Sequence, residues 1–555
     1  MERIWQKHYP AQVPNEINPD EYSSIAELLT SSCQRFAGQA AFTSFGCALS
    51  YSQLERDSLA FAAYLQGLGL RKGDRVAIMM PNCLQYPTAL FGVLRAGLIV
   101  VNVNPLYTAR ELAHQLKDSG AKALLIIENF AFTLSQVIDE VAGPAGLQQV
   151  ITTQLGDGLP WHKKYLINAV VKYVKKMVPP FKLGNKVTVH CFADALAFGR
   201  RRTLQTVAIA PNDIAFLQYT GGTTGIAKGA ALTHRNILAN MAQARAWLAT
   251  DLGTGEQVIT ALPLYHIFCL TVNCLLFVSI GGNNILVTNP KDIPAFIKLL
   301  GHTHFTVITG VNTLFNALLN APGFEAIDFS QLKVCVGGGS AVQRAVAERW
   351  LEKTGHHISE GYGLTECSPI VTCNILNQPY TGGIGYPLPS TDISIRDDAF
   401  NELGIGQEGE LCVKGPQVML GYWQKPEETA ALITPDGWLK TGDIAAVDEN
   451  GLVRITDRKK DMILVSGFNV YPNEVEGVVA SLPGVLECAV VGVPNEHSGE
   501  AVKLVVVRKD PNLSEETIKA YCKENLTGYK QPRVIEFRSE LPKTPVGKVL
   551  RRELR

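Results

Sequence analysis

The sequence predicts an α/β protein: a large N-terminal part of stacked α/β sheets with a β-rich subdomain, followed by a small α+β unit. Three observations carry this. At 555 residues the chain exceeds one ordinary hydrophobic core, so it divides into domains. From about residue 50 to about residue 310, short apolar runs alternate with helical patterns, the rhythm of βα units around a largely parallel sheet. After Gly385 the texture becomes turn-rich and β-like, and roughly the last hundred residues form a separate α+β pattern.

In chain order, residues 75–80 read as a buried strand, 86–96 as a helix and 99–103 as the next strand. Residues 214–219 form a further strand-like run. A glycine-rich stretch follows it, and a helix opens at His234 with Thr233 as its cap. Residues 409–415 are a strand between glycines. At the C-terminal end, strands at 488–493 and 502–507 precede a helix over about 514–524. The charged run Asp457-Arg458-Lys459-Lys460-Asp461 marks the boundary between domains 1–459 and 460–555, although such a run by itself is also what a solvated turn carries.

Lys+Arg and Asp+Glu balance at 51 each, which excludes general nucleic-acid affinity, since that rests on phosphate neutralisation. Twelve cysteines scatter from Cys33 to Cys522 without a C-x-x-C pair, so neither a zinc site nor a disulfide framework is predicted, and reduced thiols fit a cytoplasmic protein. The N-terminus lacks the apolar core of a secretion signal, and no apolar run reaches the length of about 20 residues that spans a bilayer. From Gly158 to Ala193 there is no Asp or Glu but seven lysines. Leu166, Ala169, Val170, Tyr173, Val174 and Met177 fall on one side of a helix. Lys164, Asn168, Lys172, Lys175 and Lys176 fall on the other, with Pro179 and Pro180 ending the pattern. Such a helix suits an anionic membrane surface, and equally an ordinary element packed on the core.

The densest chemistry lies in Tyr219-Thr220-Gly221-Gly222-Thr223-Thr224-Gly225-Ile226-Ala227-Lys228-Gly229-Ala230. Glycines let the backbone approach a ligand, threonines and consecutive N–H groups surround phosphate oxygens, and Lys228 adds a point charge. The Walker pattern requires its lysine directly after the second glycine and a hydroxyl residue next. Here Ile226 and Ala227 intervene and Gly229 follows, so that class is excluded.

The run instead resembles the phosphate loop of the adenylate-forming enzymes, the superfamily of acyl-CoA synthetases, luciferases and peptide-synthetase adenylation domains. It departs from the common pattern in carrying Gly221 and Ala227 where Ser and Pro are usual. Further motifs follow in that superfamily's order, from about residue 25 to the C-terminus. Glu360-Gly361-Tyr362-Gly363-Leu364-Thr365-Glu366 resembles its second nucleotide motif, which implies Tyr362 and Gly363 by the adenine, Thr365 on the α-phosphate and Glu366 on Mg²⁺. Gly338, Gly339 and Ser340 resemble its adenine wall. Asp443 and Arg458 match its ribose contacts, and Lys548 matches the lysine that bridges the acyl carboxylate and the phosphate.

Residues 436–459 are similar to the signature of fatty acyl-CoA synthetases, and bacterial long-chain fatty-acid CoA ligases are the nearest likeness. The resemblance implies formation of an acyl-adenylate with release of pyrophosphate, then displacement of AMP by CoA. It implies ATP with Mg²⁺ and CoA as reactants, Lys228, Thr365, Glu366 and Lys548 as catalytic, and a mobile C-terminal domain turning about Lys460. That turn would bring Ser466 and Gly467 to the CoA path. His266 and Gly383 would flank the acyl site, although His266 is by type equally a core histidine. Other carboxylates, a carrier-protein acceptor, or a membrane-associated fatty-acid binding protein without turnover stay open as alternatives. The sequence also leaves open a homodimer, and it suggests peripheral attachment at the inner face of the cell membrane.

Overall fold

The computed structural model describes residues 2–220, 227–248, 251–495 and 497–555. Among these, an eight-stranded sheet runs in the order Gly421–Tyr422, Lys228–Thr233, Ile214–Thr220, Ile99–Asn102, Arg75–Met79, Ala123–Ile127, Gln149–Thr153 and Thr188–Cys191. Its middle strands are parallel. A second sheet, of nine strands, is built on parallel Gln257–Thr260, Val307–Gly310, Val334–Gly337 and Ser359–Gly363. The expected α/β class is therefore observed.

The two sheets share a core, because Val76, Val100 and Phe216 of one pack in the same cluster as Val258, Ile308 and Val334 of the other. Helix Gln85–Arg95 shows why the layers stack. It is mostly apolar, with Gln85, Thr88 and Arg95 its exceptions, and every one of its residues is buried, as in a helix covered on all sides. Gly92 lets it close on helix Tyr51–Gly67, where a Cβ would stand 2.8 Å from the Phe61 ring.

The β-like texture after Gly385 becomes a four-stranded antiparallel sheet of Asp392–Arg396, Gly409–Lys414, Leu439–Val447 and Val453–Arg458. The chain leaves this sheet at Arg458 and enters a separate one at Ile463, where Ile463–Val465 pairs with Gly499–Arg508. That sheet has its own core of Val475, Val490, Val502, Leu504 and Ile518. The predicted C-terminal strands lie inside Val485–Asn495 and Gly499–Arg508, and Ser514 caps helix Glu515–Asn525 by accepting from Thr517 N at 3.2 Å.

Of the two expectations for the basic segment, packing on the core is not observed. Helix Trp161–Ala169 passes into a wider π-helical turn at Val170–Val174. The side read as apolar does not pack on the core: Leu166, Tyr173, Val174 and Met177 are 55–71% exposed. Two residues assigned to the polar side face the protein instead. Asn168 Oδ1 accepts from Gly156 N at 2.7 Å, and Lys164 Nζ lies 3.0 Å from Asp157. Buried polar backbone and an acid at 156–157 draw these partners inward and roll the apolar side outward. Among the described residues no helix is long and apolar enough to cross a membrane.

Candidate active site

A cavity of 2420 Å³ opens at the carboxyl ends of the central strands, between the large sheets and the C-terminal unit. Open parallel sheets bind ligands at that edge. Its walls include Tyr219, Thr220, Lys228, His266, Gly338, Gly339, Ser340, Tyr362, Gly363, Thr365, Glu366, Gly383, Asp443, Arg458, Lys460 and Lys548. Sixteen of the residues singled out in the sequence thus meet in one place. Gly221, Gly222, Thr223, Thr224, Gly225 and Ile226 lie outside the described residues.

The stems of the glycine-rich run are described. Strand Ile214–Thr220 pairs antiparallel with Lys228–Thr233, setting Tyr219 against Gly229 and Thr220 against Lys228. Ala230 is buried opposite Gln218 and Tyr422, so it serves the sheet, not the cavity. Lys228 Nζ stands 5.4 Å from the Tyr422 ring centroid and 3.9 Å from Glu428.

Neighbouring strands bring together a second cluster. Asp443 and Arg458 are cross-strand partners, with Arg458 Nε 3.2 Å from Asp443 Oδ1. The Tyr362 hydroxyl donates to Asp443 Oδ2 at 2.6 Å. A carboxylate has about four acceptor positions, so Asp443 keeps capacity for hydroxyl donors. Gly338 passes so close to Phe268 and to the Gly361 carbonyl that a Cβ would lie 3.1–3.2 Å from them, and Gly339 takes φ +76°. Beside them the buried Ser340 Oγ has no hydrogen-bond partner among the described residues.

Thr365 and Glu366 sit on one 3₁₀ turn. The Tyr422 hydroxyl donates to Glu366 Oε1 at 2.6 Å and fixes the carboxylate. Among the described residues no three His, Cys, Asp or Glu side chains group to cage a metal. A single held carboxylate fits Mg²⁺, which retains most of its water and binds through phosphates.

Lys548 enters from the C-terminal unit on a turn closed by Thr544, whose Oγ1 accepts from Lys548 N at 3.0 Å. Burial first, then the nearby Arg458 charge, pushes its ammonium down to about 7. Burial, with a smaller contribution from Lys548, pushes the His266 imidazole down to about 4, so this ring is neutral. Burial also raises the Glu360 carboxyl to about 8, while its Oε1 accepts from Val342 N at 3.1 Å.

Beyond the polar region the cavity continues between apolar residues, among them Ala244, Trp247, Leu248, Val272 and Leu388. Gly383 lines the cavity, and the place of a Cβ there is taken by Val453 O at 2.8 Å and by Leu452, so strand packing accounts for the missing side chain. Ser466 and Gly467, at φ +51° and +84°, form the exposed tip of the hairpin joining Ile463–Val465 to Phe468–Val470. They do not line the cavity in this arrangement. Tyr422, Glu360, Trp247 and Thr313 also shape the site without having been singled out. Glu360 stood within a quoted motif, whereas the others carry no local signal.

The family model of the AMP-binding enzymes matches residues 29–423, and that of the AMP-binding enzyme C-terminal domain matches 474–548. The chain belongs to the AMP-binding enzymes. Within this family it is 58% identical to a long-chain-fatty-acid–CoA ligase of Escherichia coli O157:H7, over 100% of this chain and 98% of that one. It is 39% identical to a protein of the same name from Bacillus subtilis, with the same coverage. Among solved AMP-binding structures, ATP-bound MatB from Rhodopseudomonas palustris superposes with a TM-score of 0.79 at 28% identity, covering 96% of this chain and 98% of that one. A benzoate CoA ligase from Burkholderia xenovorans gives 0.81 at 26% identity, covering 96% and 99%.

Proposed function

We propose that this AMP-binding enzyme is a long-chain fatty acid–CoA ligase that forms AMP. The observation that carries the reading is the 58% identity along the whole chain to the Escherichia coli ligase. In the first half-reaction a carboxylate oxygen attacks the α-phosphorus of ATP and pyrophosphate leaves. In the second, the CoA sulfur attacks the acyl carbon, the thiol proton is lost, and AMP leaves.

The cavity supports the following roles. Asp443 and Arg458 hold the ribose, Tyr362 and the Gly338–Ser340 turn border the adenine, and Thr365 with Lys228 contacts phosphate. The stem positions Tyr219, Thr220, Ala227 and Gly229 flank the phosphate site. Mg²⁺ beside Glu366 would neutralise phosphate charge that otherwise repels the attacking carboxylate. Lys548 donates positive charge where the carboxylate meets the α-phosphate, the place at which charge develops. The apolar extension past Val272 and Trp247 takes the acyl chain, with the neutral His266 at its mouth.

Lys460, in the short passage from Arg458 to Ile463, serves as the hinge between domains 1–459 and 460–555. Rotation about it withdraws Lys548 and brings the exposed Ser466–Gly467 tip to the cavity for CoA. The exposed Trp161, Tyr165, Tyr173, Val174 and Met177, set among seven lysines, form a docking face for anionic lipid on the cytoplasmic side.

The test is ATP–pyrophosphate exchange over a panel of carboxylic acids, with and without CoA, on the native protein and Lys548→Ala. Exchange greatest with long-chain acids, lost in the variant, with thioester formed only when CoA is present, is the expected result. Exchange with aromatic acids alone, or none with any acid, overturns it.

A further inference from the structure

Both stems of the glycine-rich loop are tied to one helix that no motif includes. Helix Ala109–Ser119 is fixed at both ends. Thr108 and Glu111 form a capping box, Gly120 closes it at φ +60°, and Arg75 donates to Ser119 O and Gly120 O, each at 2.9 Å. Its inner side buries Leu112, Ala113 and Leu116, and Gln115 Nε2 donates to Asn102 O at 2.8 Å. His114 and Asp118 stand one turn apart, so they share a face. His114 Nε2 lies 3.0 Å from Ala227 O, and Asp118 Oδ2 accepts from the Tyr219 hydroxyl at 2.7 Å. Tyr219 lies before the loop and Ala227 after it.

We infer that His114 and Asp118 are positioning residues for the ATP phosphates, setting the spacing of the loop's two stems from a rigid helix. The inference rests on the nucleotide role proposed for that loop. Those stems pair in one antiparallel ladder, Tyr219 against Gly229 and Thr220 against Lys228, so fixing Tyr219 and Ala227 fixes both ends of that ladder. Asp118 is suited to this, being 15% exposed and pairing at short range with a hydroxyl that is itself on a buried residue. Lys425 Nζ, 4.0 Å away, also faces Asp118.

The test measures KM for ATP and for a long-chain acid in pyrophosphate exchange with His114→Ala, His114→Gln, Asp118→Ala, Asp118→Asn and Tyr219→Phe. The alanine variants should raise KM for ATP roughly tenfold and leave KM for the acid within about twofold. His114→Gln, which can still donate to a carbonyl, and Asp118→Asn, which can still accept from the tyrosine, should recover most of the loss. Tyr219→Phe, which removes one hydroxyl and leaves the ring, should repeat Asp118→Ala, and it serves if an alanine variant does not fold. An unchanged KM for ATP, an equal rise for both substrates, or no recovery in the conservative pair overturns the inference. If the native protein shows no exchange, the ligase reading falls separately. Calorimetric ATP binding by the same variants then decides the positioning role.

Discussion

Thr313 Oγ1 donates to the Gly547 carbonyl at 3.0 Å, so the residue directly before Lys548 is hydrogen-bonded to a helix of the N-terminal part. A second contact, Asn316 Nδ2 to Leu486 O at 2.9 Å, comes from the same helix, Asn312–Leu319. Both bonds are formed in the arrangement that presents Lys548 to the cavity, and the rotation proposed about Lys460 would break them. Each is worth about 1 kcal/mol net. Thr313→Val should therefore slow pyrophosphate exchange about fivefold. Conversion of preformed acyl-adenylate to thioester should be unchanged or faster. Equal losses in both half-reactions would contradict this.

Lys548 carries a pH prediction. Its ammonium titrates near 7, well below the ordinary lysine value, so the ligand-free side chain loses its proton as pH rises through that point. Phosphate oxygens favour the charged form and raise the pKa again. Binding of ATP should therefore take up a proton between about pH 7 and 9. Titration calorimetry in buffers of different ionisation enthalpy measures this uptake, and Lys548→Met should abolish it.

Tyr422→Phe frees the Glu366 carboxylate from its 2.6 Å hydrogen bond. With Mg²⁺ held beside Glu366 as proposed, a partner that orients the ligand is typically worth at least a factor of ten in metal affinity, so the Mg²⁺ needed should rise about tenfold. Rate at saturating Mg²⁺ should stay near that of the native protein. Titrating Mg²⁺ back after EDTA treatment reads both quantities.

Trp247 lines the apolar extension, its Nε1 donating to Asn374 O at 3.0 Å and Tyr9 packing edge-on at 5.1 Å. An indole held on two sides does not swing away from a longer chain. Trp247→Ala should lower the midpoint of thermal unfolding, since such truncations cost about 3–5 kcal/mol. It should also shift the preferred acid toward greater length. An unchanged chain-length profile in a folded variant would remove Trp247 from the acyl wall.

The exposed basic segment predicts attachment to anionic vesicles that falls with salt. Lys172→Glu, Lys175→Glu and Lys176→Glu together should release the protein from them without altering exchange in detergent-free solution. Sedimentation with vesicles measures it, and undiminished binding by the triple variant would refute the docking face.

Family and element order were legible in the sequence because both are local properties. Apolar runs with period two or 3.6 declared the strands and helices, and short runs of glycine, hydroxyl and charged residues carried the resemblance that implied the nucleotide motifs. Long-range partners were not legible. Tyr362 meets Asp443 across 81 positions, Tyr219 meets Asp118 across 101 and Thr313 meets Gly547 across 234. A hydrogen bond specifies two atoms within about 3 Å, and only chain folding brings such atoms together. The same limit applies to two further features. Periodicity identified the apolar side of residues 166–177 but not what covers it, and that side proved exposed because Asn168 and Lys164 are drawn to Gly156 and Asp157. A glycine at 383 showed that something lies close. Only the tertiary structure decided that it is the Val453 carbonyl, since van der Waals contact depends on which backbone passes by and not on the residue's own neighbours in sequence.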